Sequence, residues 1–382
     1  MTGILRRTHL LFAMTGASSI CGGIHTTNLN VLHALMDLAG EIEGEVKVFS
    51  YLESEEARPA FLPERHEFRA FDGDKSAFAL NLLSEARKRP IICFDHVTLA
   101  LPVLPLALSG LLKSVIFAHG SESWRRIRRL SRSSFENASL CIANSDFTLK
   151  KMRERIARFN GVACPLGLSP EMTLNATIPT GFTEEVQLEA ADRVTRKLGA
   201  QVLLLVGRMH PGEREKGHRP LLNIMPRLLQ QFADVQLVFA GPGDDSDDLR
   251  ELACSVGVGH AVFLPGFLRV EELNRLYQHC YAFVMPSLQE GFGLAYLEAM
   301  NYGKPCVGCF DQGAEDIIVD QETGFLVRNP NDQDDLLGIL TVLLSDRQRA
   351  LYMGANGFDR LHAHFTSDQY QQRIREQIAR VL

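Results

Sequence analysis

The chain has 382 residues, enough for two domains of ordinary size, and 46% of them are hydrophobic, which excludes a largely disordered chain. Its formal net charge of −6 excludes bulk nucleic-acid binding. Eight cysteines spread over this length exclude a disulfide scaffold and fit reduced thiols in a cytosolic protein, and the lone C-x-x-C of Cys306 and Cys309 has no second pair to complete a zinc site.

Near the amino terminus, Leu10 to Met14 is too short an apolar run for a secretory signal, so the expected location is cytoplasmic. His9 to Met14 predicts a first buried strand, followed by a helical pattern through Leu38. Gly22 and Gly23 lie at the turn between them, where a glycine pair either brings backbone N–H groups up to a diphosphate or simply permits a tight turn. Strand-like Val46 to Phe49 is followed by a polar, proline-interrupted region from Glu53 to His66, a helix from about Lys75 to Lys88, and a strand at Ile91 to Phe94. Asp72-Gly-Asp74 mimics a metal-binding Asp-x-Asp but follows no strand on this reading. Val97 to Leu112 is apolar, yet it carries Pro102 and Pro105 and falls short of the roughly 20 residues that span a membrane. It predicts a buried loop and helix.

Strands alternating with helices predict an α/β chain with parallel sheets covered on both faces, and in such sheets ligands bind at the carboxyl ends of the strands. Val115 to His119 is a strand ending in a histidine at that position, which makes His119 a candidate ligand contact; the plainer reading is a histidine satisfied at a strand end. Trp124 to Arg132 predicts an amphipathic helix, with Trp124, Ile127 and Leu130 on one sector and five arginines opposite. Such a helix either lies on an anionic membrane surface or turns its apolar stripe to the core. Leu140 to Asn144 predicts a strand and Phe147 to Arg158 a helix, and residues 171–183, rich in Thr, Pro and Gly, form the expected linker.

The second half opens with a predicted helix around Glu184 to Leu198 and the strand Val202 to Val206, ending in Gly207-Arg208. Lys216-Gly217 precedes a helical pattern from Arg219 to Phe232. A guanidinium and an ammonium above a strand's carboxyl end suit a diphosphate, one giving direction and the other neutralisation. After the strand from Val235, the run Asp244, Asp245, Asp247 and Asp248 is expected to be the solvated start of a helix rather than a metal site. Val262 to Gly266-Phe267 ends another strand.

Tyr281 to Met285 predicts a buried strand leading to Glu290 in a glycine loop. Gly291, Phe292 and Gly293 follow, Leu294 opens a helix that carries Glu298, and Gly303 with Pro305 stops it. Unpaired N–H groups at a helix start favour an anion, while carboxylates accept hydrogen bonds from sugar hydroxyls. Thr366 with Gln369 forms a capping box for a last helix, whose Tyr370, Ile374 and Ile378 share one face.

Glu290 and Glu298 with seven residues between them, the Gly-Phe-Gly-Leu insert, and Glu-Ala-Met-Asn-Tyr-Gly-Lys-Pro after it resemble the Glu-x7-Glu signature of retaining, GT-B-fold glycosyltransferases of family 4. The resemblance implies two doubly wound Rossmann-like domains facing a cleft: an acceptor-side domain over 1–170 with the helix 362–382 packed back on it, a linker at 171–183, and a nucleotide-sugar domain over 184–361. It implies that Glu290 and the amides of Gly291, Phe292, Gly293 and Leu294 hold the donor sugar and diphosphate, and that Glu298 holds the ribose. His119 would face the sugar, and backbone near Phe267 the nucleobase. The family's Pro-Asn-Gly turn is Pro165-Leu166-Gly167 here. The insert Met-His-Pro-Gly-Glu-Arg-Glu between Arg208 and Lys216 is longer than the family's turn and leaves Arg214 as an alternative to Lys216.

The implied reaction moves a hexose from a nucleoside-diphosphate sugar, UDP-glucose first, to a glycan or lipid-linked glycan in polysaccharide or glycoconjugate biosynthesis, with retained configuration and no metal or other cofactor. Arg208, Lys216 and the helix-start amides would stabilise the leaving diphosphate. The implied partners are the nucleotide-sugar, the acceptor and an anionic membrane at the inner face, with no nucleic acid. Two alternatives belong to other classes: a nucleotide-sugar epimerase of similar fold, and a catalytically silent partner subunit, against which the intact Glu290, Glu298, Arg208 and His119 argue.

Overall fold

A computed structural model describes residues 9–17, 22–179 and 185–382. Cys21, Glu184 and the carboxyl-terminal part of the expected linker lie outside these. The chain divides into two compact units, Met1–Thr173 with Phe365–Leu382, and Leu174–His364.

The first unit is built on seven strands: β1 (His9–Met14), β2 (Glu45–Ser50), β3 (Glu67–Ala70), β4 (Ile91–Phe94), β5 (Lys113–Ala118), β6 (Leu140–Ala143) and β7 (Gly161–Ala163). They pair in the order β3-β2-β1-β4-β5-β6-β7, all in parallel. Continuous apolar runs explain this arrangement, since Leu10 to Met14, Ile91 to Phe94 and Val115 to Ala118 are buried and both faces of a parallel sheet need cover. Strand β3 lies between the polar region that ends at His66 and the helix from Lys75, where no strand was expected. Glu67 and Arg69 are exposed while Phe68 is buried, so this edge strand carries too few apolar residues to announce itself. Asp72-Gly-Asp74 therefore does follow a strand, and Asp74 caps the helix Lys75–Ala86 by accepting from the amides of Ser76 and Ala77 at 2.9 and 3.0 Å.

The predicted helix over Trp124 to Arg132 is also corrected. Helix begins only at Arg129 and runs to Glu136, with Arg128 extended at its amino-terminal cap. Trp124 packs edge-on against Phe147 with ring centroids 5.4 Å apart, and Ile127 packs against the core. Leu130, at 61% exposure, does not join them. Burying the tryptophan and isoleucine on a non-helical segment outweighs helix propensity.

The last helix, Ser367–Ala379, packs on the helix Gly23–Glu41. Its capping box is present, with the Thr366 amide donating to Gln369 Oε1 at 3.0 Å. Tyr370, Ile374 and Ile378 are buried, and wholly buried Asn30 accepts from Ser367 Oγ at 2.7 Å. Gly167 sits where this helix starts: a Cβ there would lie 2.5 Å from the carbonyl oxygen of Thr366.

The second unit holds a hairpin, β8 (Gln187–Glu189) with β9 (Thr195–Lys197), and a parallel six-stranded sheet. Its strands are β10 (Val202–Val206), β11 (Gln236–Ala240), β12 (Val262–Gly266), β13 (Ala282–Val284), β14 (Cys306–Cys309) and β15 (Gly324–Val327), in the order β12-β11-β10-β13-β14-β15. The hairpin replaces the helix expected from about Glu184 to Leu198. The residues there are helix formers by propensity, but Arg193 adopts a left-handed φ of 67° and the turn is pinned by Arg196 donating to Asp192 Oδ2 at 2.8 Å. Ala190 then bridges to Phe263, a tertiary contact that overrides propensity. Cys306 and Cys309 are buried in β14, where burial pushes the Cys309 thiol up to about 12.

Because Ile374 is fully buried in the terminal helix, Ile374→Ala is expected to destabilise the first unit by about 2–5 kcal/mol. Urea denaturation followed by a probe in that unit checks this, and a midpoint equal to the parent's would mean the helix contributes little to its stability.

Candidate active site

In the second sheet the strand order reverses between β10 and β13, which are neighbours in space although β11 and β12 intervene in sequence. Loops leaving two such strands diverge and open a crevice at their carboxyl ends. Both stretches singled out by sequence emerge there: Gly207-Arg208 to Lys216 after β10, and Ser287 to Gly293 after β13.

The first loop is tightly held. Gly207 donates to Ala240 O at 2.9 Å and Met209 to Pro242 O at 2.8 Å. The imidazole of His210 caps the 3-10 turn Pro211–Lys216 by accepting from Gly212 N at 3.1 Å. Gly217 closes the turn at a φ of 99°, and a Cβ there would come within 2.7 Å of the Pro286 ring. The two loops are tied again where Leu288 N donates to Glu215 O at 2.9 Å. The stem of Lys216 passes over Gly207, 3.2 Å from where a Cβ would be, and its ammonium lies 3.4 Å from Glu290 Oε2.

The second loop shows why its glycines are needed. Gly293 has a φ of 104°, and a Cβ would lie 2.4 Å from the Tyr296 ring. Gly313 donates to Glu290 O at 2.9 Å and passes so close that a Cβ would lie 2.3 Å from Gly291 O. Gly291 and Gly293 are buried, as is Phe292 at 1% exposure, so the phenyl ring serves the core; Leu294 starts the helix Leu294–Met300 half-buried.

Glu298, further along this helix, accepts from Tyr277 Oη at 2.6 Å. Burial raises the Glu298 carboxyl above its usual range, and the phenol's hydrogen bond only partly offsets this. Tyr277 is fully buried, in a ring pair with Tyr302 at 6.0 Å. Phe267, by contrast, is 62% exposed just past β12, after Gly266 at a φ of 74°.

Arg208, Lys216 and Glu290 are thus brought together, joined by a residue that sequence reasoning missed. Glu213 Oε1 accepts from Arg208 at 2.6 Å, and its Oε2 lies 3.9 Å from the Lys216 ammonium. Arg214 does not take the place of Lys216, since it pairs with Asp245 at 2.7 Å and Asp248 at 3.1 Å. Asp245 is not solvated as expected: it is 4% exposed and also accepts from Arg219 at 3.0 Å. Two guanidiniums outweigh the cost of burying its charge.

The other candidates belong to the first unit. Half-buried His119 follows β5, and its Nε2 donates to Asp95 O at 2.7 Å. Its amide donates to Glu122 Oε1 at 2.6 Å. Gly22, at a φ of 115°, and Gly23 are exposed at the start of the helix Gly23–Glu41. Two buried carboxylates at the end of β1 were missed as well. Asp95 Oδ2 accepts from Thr15 N at 2.7 Å and Asn28 Nδ2 at 2.9 Å, and Glu53 accepts from Ala17 N at 2.9 Å and Ser50 Oγ at 2.6 Å. Acidic residues just past strands β2 and β4 were the available signal.

Residues 187–360 match the family model described as glycosyl transferases group 1. Over 188 residues the chain is 32% identical to an uncharacterized glycosyltransferase of Methanocaldococcus jannaschii, covering 47% of this chain and 47% of the relative, so the match spans about half of that relative's length. It is 28% identical over 288 residues to the GDP-mannose-dependent alpha-(1-6)-phosphatidylinositol monomannoside mannosyltransferase of Mycolicibacterium smegmatis, covering 71% of this chain and 72% of the relative. Among solved structures, Anabaena HepE in complex with UDP-glucose aligns with a TM-score of 0.74 at 17% identity, covering 98% of this chain and all of that one. The two Rossmann-like units are the GT-B fold. The group 1 match lies within the second unit.

His218, directly after the lysine loop, is 3% exposed and lies edge-on to Phe239. Burial, assisted by the Lys216 ammonium and by Arg219 and opposed by Asp245, lowers its pKa from 6.5 to about 4. The fold therefore holds the neutral ring, whose contribution is intact above pH 6.5 and is lost as pH falls from 6.5 through about 4. Acidification over that window should cost at most about 3 kcal/mol through this group, and thermal melts of His218→Phe should show a shallower acid limb than the parent. Identical limbs would remove His218 as a source of acid sensitivity.

Proposed function

We propose that the chain is a retaining glycosyltransferase that moves a hexose from a nucleoside-diphosphate sugar to a glycan or lipid-linked glycan. The observation that carries this reading is the meeting of Arg208, Lys216 and Glu290 at the strand-order reversal of the second sheet. Arg208 and Lys216 meet the charge that develops on the leaving diphosphate, and the glycine-loop amides add donors at a helix start. Glu290 accepts from the sugar hydroxyls, Glu298 from the ribose, and the exposed ring of Phe267 lies ready for the base. The acceptor hydroxyl attacks the anomeric carbon from the face the phosphate leaves. The bond from that carbon to the phosphate oxygen breaks, and the acceptor's proton passes to a phosphate oxygen.

UDP-glucose is the first donor proposed, supported by the UDP-glucose complex of HepE; the mannosyltransferase relative makes GDP-mannose the comparison to run beside it. No metal is assigned to the reaction, because two cationic side chains already serve the phosphates.

A lipid-linked acceptor would present its sugar at a membrane surface, and we place that contact at the arginine segment of the first unit. Arg125, Arg126, Arg128, Arg129 and Arg132 are exposed there, beside exposed Leu130. No helix among the described residues is long and apolar enough to cross a membrane. Each arginine near an anionic surface adds on the order of 1 kcal/mol. Cosedimentation with anionic but not neutral vesicles at low salt is therefore expected, and its loss on replacing Arg126, Arg129 and Arg132 by Ser; equal sedimentation of that variant and the parent would refute the contact.

The two ends of the donor site should separate kinetically. Arg208→Ala is expected to lower kcat by roughly a hundredfold or more, while Glu298→Ala should weaken donor binding more than turnover, because ribose contacts change little during reaction. Steady-state rates with UDP-glucose and GDP-mannose, repeated in excess EDTA, check this. An unchanged donor dissociation constant in Glu298→Ala would refute the ribose assignment, and activity abolished by chelation and restored by Mg²⁺ would refute metal independence.

A further inference from the structure

The insert between Arg208 and Lys216 places a carboxylate against both cations assigned to the diphosphate. Glu213 Oε1 is 2.6 Å from the Arg208 guanidinium, and Oε2, buried without a hydrogen bond, faces the Lys216 ammonium at 3.9 Å. Its position is fixed from both sides. The next residue, Arg214, is drawn the other way by buried Asp245, and the carbonyl of Glu215 is bonded to Leu288 N at 2.9 Å. Glu213 itself departs from helical geometry, with φ −122° and ψ 28°, while its amide bonds to His210 O at 2.8 Å. The turn is anchored so that this side chain points back to the strand end, beside the stem of Lys216.

With Glu290 as a second carboxylate beside Lys216, two cations face two anions, and the cluster is formally neutral. A neutral cluster attracts an anionic diphosphate far less than two bare cations would, since each carboxylate within about 4 Å of a cation offsets part of that cation's pull on the phosphates. Resting on the diphosphate assignment proposed above, we infer that Glu213 is a built-in competitor of the diphosphate. Its carboxylate contends for Arg208 and Lys216, limits how tightly a nucleoside diphosphate is held, and thereby favours release of that product. It touches the cations rather than the reacting atoms.

Calorimetric titration of the whole chain with UDP and with GDP tests this. Glu213→Gln keeps the shape and removes the charge, and should lower the dissociation constant of the better nucleotide about fivefold, discounted for partial exposure; the gain should shrink as salt is raised. Glu213→Asp keeps the charge and should stay within about twofold of the parent. A dissociation constant unchanged or raised in Glu213→Gln overturns the inference, as does equal tightening in Glu213→Asp, which would make the effect steric. Arg208→Ala and Lys216→Ala distinguish the underlying reading. If both leave nucleotide binding unchanged, the diphosphate assignment itself fails; if they weaken it while Glu213→Gln does not strengthen it, only the role of Glu213 fails.

Discussion

The site depends on how β10 and β13, adjacent in the sheet but distant in sequence, send their following loops in different directions while the loops stay packed at their roots. Gly217 rests on Pro286, Leu288 bonds to Glu215, and Gly313 bonds to Glu290 O. These backbone contacts carry the geometry. The Lys216–Glu290 pair is partly exposed, at 22% and 18%, and pairs of that kind contribute at most about 1 kcal/mol. The ion pair is therefore a consequence of the loop packing rather than its cause, and its members can exchange partners at little cost when an anion arrives. Rigid roots and exchangeable tips are the properties on which the proposed diphosphate site draws.

The first unit meets the same topological problem with different chemistry. Its strand order also reverses, between β1 and β4, and the chain leaving β1 exposes amides at Thr15 and Ala17. Asp95 and Glu53 accept them, where an unpaired buried amide costs about 1–3 kcal/mol. Both acids are almost wholly buried, so their work is to hold the backbone just past β1, Asp95 also reaching Asn28 of the helix Gly23–Glu41, and His119 is held by the carbonyl of the same Asp95. One residue thus fixes the exit of β1 through its side chain and the ring after β5 through its backbone.

What the sequence disclosed follows the range of the interactions involved. The parallel sheets, the glycine loop and the terminal helix were legible because apolar runs, turn residues and a capping box act over a few neighbours. Residues 187–197 were misread because the force that makes them a hairpin, the bridge from Ala190 to Phe263, lies more than seventy residues away in the chain. The arginine segment was misread because Trp124 finds Phe147, and Asp245 because Arg214 and Arg219 converge on it. Tyr277 belongs to the same class, while Glu213 is set by the geometry of its own turn. Neither residue type nor spacing marks them: the folded sheet brings Tyr277 to Glu298, and the non-helical backbone of Glu213 turns its side chain to Arg208.

The two glutamates of the central motif illustrate how one helix and its preceding loop divide electrostatic labour. Glu290 lies on the loop beside the Lys216 ammonium, within a cluster where charges of both signs balance. Glu298 lies on the helix against a phenol, and burial rather than a cation governs it, raising its carboxyl above the ordinary range. An anion approaching Glu298 would meet a desolvated carboxyl group with no cation to share, whereas a neutral hydroxyl can donate to it without adding charge to a buried place. The environment of Glu298 therefore suits uncharged hydroxyls alone, whereas Glu290 stands beside the Lys216 ammonium, where a hydroxyl can donate to the carboxylate while an anionic group meets the cation.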